Sequence, residues 1–121
     1  YLLRLVTWDA AFVVGIEGKI DKLAADEYAD WIAFRASDDP SETLLNSRRA
    51  DLALIVQGGV PQIGDPDLMA QFPHVKTVRA ELDGVPKAIN IQLARQIAKC
   101  TLKEPGLELI DNPQGRRRTL W

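Results

Sequence analysis

Apolar residues change their spacing along this 121-residue chain, and the spacing predicts helices that alternate with short strands. Helical spacing predicts one helix over Lys22–Ala36 and another over Pro86–Leu102, where Pro86 suits the first helical position. Asp51–Gln57 is short, almost wholly apolar and followed by two glycines, as is typical of a strand buried on both faces. The shorter predicted elements are Leu2–Thr7 and Phe12–Ile16, each a strand or a helix start, and short helices near Glu42–Arg49, Asp67–Phe72 and Thr77–Leu82.

This alternation of strands and helices predicts the fold class. It favours an α/β fold with a small, mostly parallel sheet flanked by helices. The length suits a single domain, which we assign to residues 1–110, followed by a polar, basic tail over 111–121.

Charge and composition narrow the classes of partner. The net charge of −2 gives no basic surface of the kind that binds nucleic acid, so we expect no nucleic-acid partner. No apolar run approaches the ~20 residues that span a bilayer, so we expect no direct membrane insertion. The single cysteine, Cys100, excludes a disulfide within the chain.

Motifs for catalysis or metal binding fail on residue type or spacing. Gly15–Ile20 has too few residues between its glycines for a phosphate-binding loop, and no Ser or Thr follows the lysine. His74 is the only histidine, and Cys100 lies on an apolar helical stripe, so neither indicates a catalytic or metal site. We therefore expect no enzyme activity, no metal and no cofactor.

Several short stretches, in this order, are similar to landmarks of one transport family. They are Glu17–Asp21, Leu54–Gly59, Asp65–Leu68, Phe72–Thr77, Glu81-Leu82, Gly84–Pro86 and Lys103–Pro105. Together they resemble the second half of the periplasmic substrate-binding proteins of tripartite tricarboxylate transporters. Members of that family are longer and have two lobes, so the resemblance implies that this chain is mostly one lobe, a shortened relative or part of a larger two-lobed protein.

The resemblance implies a binding protein for small organic acids. Such a protein closes on a carboxylate in the periplasm and presents it to a membrane transporter or larger complex. The resemblance places ligand-binding residues in the loop after the first strand, at Thr7, Trp8 and Asp9, and at the next turn, at Asp21. Each has a structural alternative: Trp8 as a core or rim aromatic residue, Asp9 as a turn former and Asp21 as a helix cap.

A second interpretation stays open. The Gly/Ser-rich loops that hold the carboxylate in that family have no counterpart here, and the chain is short. It carries three tryptophans, a residue type enriched at interfaces: Trp8, Trp31 and Trp121. The alternative hypothesis is a non-catalytic interaction subunit that keeps the fold without ligand binding.

Overall fold

A six-stranded sheet organises the chain. The computed structural model describes residues 1–19 and 22–115. Its helices are α1 (Leu2–Val6), α2 (Trp8–Val14), α3 (Pro40–Asn46), α4 (Pro66–Met69) and α5 (Ile91–Lys99), with a 3₁₀ turn at Arg49–Asp51. Its strands are β1 (Trp31–Phe34), β2 (Leu52–Gln57), β3 (Val60–Gly64), β4 (Thr77–Leu82), β5 (Val85–Asn90) and β6 (Leu107–Leu109). The strand order is β1-β2-β3-β5-β4-β6, and every neighbouring pair is antiparallel.

The predicted mostly parallel sheet is therefore wrong, and two tight turns explain why. Gly58 and Gly59 adopt φ values of 56° and 77° and join β2 to β3, and Asp83-Gly84, at 51° and 79°, joins β4 to β5. Two successive positive φ angles make a two-residue hairpin, to which glycine is suited because it has no Cβ. A two-residue link reverses the chain, so each pair has to be antiparallel.

Two predicted helices are wrong because their residues form strands. Thr77–Leu82 is β4, and its buried residues alternate along the strand at Val78, Ala80 and Leu82. The predicted helix over Pro86–Leu102 contains most of β5 and begins only at Ile91. The Asn90 side chain sets that start, since its Oδ1 accepts a hydrogen bond from the Gln92 N–H at 2.9 Å.

The predicted helix over Lys22–Ala36 is also wrong. Within it lies β1, in which Trp31 pairs with Val56 of β2. Other elements agree better: the strand at Asp51–Gln57 is confirmed as β2, and short helices occur near Glu42–Arg49 and Asp67–Phe72, as α3 and α4. α3 begins two residues before the predicted start at Glu42, because the Asp39 carboxylate caps it.

Helices cover both faces of the sheet. On one face, Leu54, Val56 and Ala88 pack with Met69 of α4, together with Trp31, Ala33, Phe72 and Val75. On the other face, Val78, Ala80 and Ile89 pack with Ala94 of α5. β2 contributes Leu54 and Val56 to the first cluster, and its remaining apolar residues Leu52, Ala53 and Ile55 are buried or half-buried.

Two arginine–aspartate ion pairs lie at β4 and at the β4–β5 turn. The Arg49 guanidinium makes two hydrogen bonds of 2.7 Å to the Asp83 carboxylate in the β4–β5 turn, and also contacts Glu104. Arg79 of β4 pairs with Asp111 at 2.8 Å, and this hydrogen bond lowers the pKa of Asp111 to about 2. Of the predicted tail, 111–115 is described, and 116–121 lies outside the described residues.

Candidate functional site

The N-terminal segment, as we call Tyr1–Val14, contains the two short helices α1 and α2, which Thr7 separates with a non-helical φ of −121° and ψ of −94°. Thr7 joins them: its N–H donates to the Arg4 carbonyl, and its own carbonyl accepts from the Ala11 N–H at 2.9 Å. The Thr7 hydroxyl donates to the Leu3 carbonyl at 2.7 Å. The hydroxyl that sequence reasoning assigned to a ligand therefore donates to the backbone of the segment.

This segment exposes large apolar side chains. No residue of α1 is buried, and Ala11 is the buried residue of α2. Phe12 is 62% exposed and Val13 is 82% exposed. The exposed set is Tyr1, Leu3, Leu5, Val6, Trp8, Phe12, Val13 and Val14. Without Tyr1, these side chains leave about 700 Å² of apolar surface in water, judged from ordinary side-chain areas.

Trp8 lies at the centre of the segment and contacts both neighbouring turns. The Arg4 guanidinium carbon lies 4.4 Å from the centre of the Trp8 ring, within cation–π range. The Phe12 ring stacks with the Trp8 ring, with 6.3 Å between the ring centres. Arg4 also donates from Nε to the Asp9 carboxylate at 2.9 Å. Trp8 thus contacts both Arg4 of α1 and Phe12 of α2.

The predicted ligand residues Thr7, Trp8 and Asp9 are close together, but on helices rather than in the loop after a strand. The Thr7 hydroxyl donates to the Leu3 carbonyl, and the Asp9 carboxylate accepts from Arg4, so both polar groups bind within the segment. The fourth predicted residue, Asp21, lies outside the described residues.

Three charged residues, Lys87, Asp65 and Arg35, form a cluster that is buried at Lys87 and exposed at Arg35. Lys87 of β5 is only 1% exposed, and its ammonium donates to Asp65 Oδ1 at 2.7 Å and to the Leu52 carbonyl at 2.6 Å. The other carboxylate oxygen of Asp65 accepts from Arg35 at 3.2 Å. Lys87 therefore links β5 to the start of β2 and to the turn after β3.

The environment of Asp65 shifts its acidity. Burial by itself raises the pKa of this carboxyl, but the hydrogen bonds from Lys87 and Arg35 together outweigh burial, and the pKa lies below its ordinary value. The carboxylate stays charged and holds the buried ammonium in place.

Sequence reasoning missed this cluster. It placed Lys87 in the predicted helix over Pro86–Leu102 and used Asp65 only as part of the Asp65–Leu68 landmark. The alternation over Val85–Asn90 was the available signal, because a strand there puts Lys87 on the same face as the fully buried Ile89.

An open polar cleft lies between the end of β1 and α3. Its volume is about 270 Å³. Its lining includes the Arg35 guanidinium, the carboxylates of Glu42 and Asp51, and the side chains of Asn46 and Ser47. Two carboxylates against one guanidinium make this cleft a poor site for an anion.

Metal binding and membrane spanning find no structural basis in the described ranges. Within 1–19 and 22–115, no three His, Cys, Asp or Glu side chains come together as metal ligands. No described helix has the length and apolar character to cross a membrane. Comparison of the chain with protein-family models, with curated proteins and with solved structures gave no match.

Proposed function

We propose that this chain is a non-catalytic interaction domain, in which the antiparallel sheet carries the N-terminal segment for docking against another polypeptide. The observation that carries the proposal is the exposure of Trp8, Phe12, Val13 and their apolar neighbours on both α1 and α2.

The physical argument concerns where such a helix is stable. A helix that is apolar on all sides is normally buried, because water-facing helices carry charged or polar side chains on one face. Summed around both helices, the exposed apolar surface is about 700 Å², of the same order as the ~300–600 Å² of the largest patch on a typical monomer, and such patches are often functional.

The residue types also favour protein docking. Trp is enriched among the residues that carry most of the binding energy at interfaces, and such residues cluster near the interface centre. Trp8 lies midway along the segment and contacts both Arg4 and Phe12. This arrangement offers a rigid aromatic anchor that loses little conformational freedom on binding.

The test is site-specific photo-crosslinking in the cells that make the protein. A photoreactive phenylalanine analogue replaces Phe12 in the full chain, and the control carries the same analogue at Leu102, which is 82% exposed outside the segment. We expect a defined polypeptide adduct from position 12 that is lost when Trp8→Asp is added. Equal adduct yields from the two positions would contradict the proposal.

Small-carboxylate binding stays a prediction, and within the polar cleft only the Arg35 guanidinium favours it, against the carboxylates of Glu42 and Asp51. A dicarboxylate there would pair with Arg35, whose side chain is 61% exposed. Thermal unfolding with a panel of dicarboxylates tests this, and any rise in the melting temperature should disappear in Arg35→Gln. A panel that leaves the melting temperature unchanged would count against it. The membrane-transporter partner and the periplasmic location stay predictions.

A further inference from the structure

We draw no further inference here: the strongest candidate, the exposed apolar surface of α1 and α2 around Trp8 and Phe12, already carries the proposed function, and nothing in the structure shows what covers it.

Discussion

Asp65→Asn is expected to destabilise the fold more than Lys87→Met, although the two side chains form one ion pair. The reason is their unequal surroundings. Lys87 is 1% exposed, and its ammonium has Asp65 as its anionic partner and the Leu52 carbonyl as its second acceptor. Asp65 has a 13% exposed side chain and keeps a second cation, Arg35, when Lys87 is replaced.

These surroundings set the expected magnitudes. Asp65→Asn leaves an ammonium inside the sheet without a counter-charge, which costs about 3–5 kcal/mol for a broken buried pair. Lys87→Met keeps a long, flexible side chain that fills similar space and removes the charge. Its main loss is the donor to the Leu52 carbonyl, about 1–3 kcal/mol for a buried acceptor left unpaired. The double variant should be more stable than the sum of the two losses predicts, because it leaves no buried ammonium.

The difference should depend on pH in one direction. Because the pKa of Asp65 is lowered on folding, its contribution is fully present above the pKa of the unfolded chain, about 4, and is lost as the pH falls through the folded value. Asp65→Asn lacks this group. The stability gap between the unmodified chain and Asp65→Asn should therefore be constant near neutral pH and narrow below pH ~4.

Urea unfolding followed by tryptophan fluorescence measures these differences, since Trp31 packs against the buried cluster on one sheet face. Arg35→Gln is the control, because Arg35 is the exposed member of the cluster that Lys87 and Asp65 form with it. It should lower the free energy of unfolding by less than about 1 kcal/mol. Equal losses for the two single variants, or a larger loss for Lys87→Met, would refute the account of a buried ammonium that depends on one carboxylate.

Three further variants test local structure. Gly106→Ala should destabilise the fold by about 1–3 kcal/mol in urea unfolding, because φ is +82° and a Cβ would collide with the Asp83 carboxylate; Gly84→Ala, at +79° in open space, should lose less. Asp39→Ala should cost about 1 kcal/mol in thermal unfolding through the lost α3 cap, whereas Asp38→Ala should cost little. In a carboxyl NMR titration, Arg79→Gln should raise the pKa of Asp111 from about 2 toward 4.

Strong local signals made some elements predictable. Asp51–Gln57 was identified because a short apolar run ends at two glycines, and the same glycines form the β2–β3 turn. In the region predicted as one long helix, Leu93 and Ile97 do lie on the side of α5 that packs against the sheet. In each case the pattern that predicted the element lies within one continuous stretch of the chain.

Strand direction was not predictable from burial. A strand buried on both faces suggested a parallel sheet between helices, but β2 is buried in an antiparallel sheet, with α4 packed against Leu54 and Val56. The partner strand was hidden because Val60–Gly64 contains Pro61, which disfavours the interior of a sheet. The structure accommodates Pro61 opposite Val56, where the register of the pair shifts.

The position of the candidate site depends on this correction. In the predicted α/β fold, Leu2–Thr7 was open to interpretation as a strand, which would have buried it in the sheet. The sheet instead consists of six other strands, and α4 and α5 pack against its two faces. The apolar residues of α1 and α2 consequently stay in contact with water. We therefore assign the function to this segment because of what the fold leaves uncovered, and the predicted carboxylate site at Thr7, Trp8 and Asp9 loses the strand-to-loop geometry on which it depended.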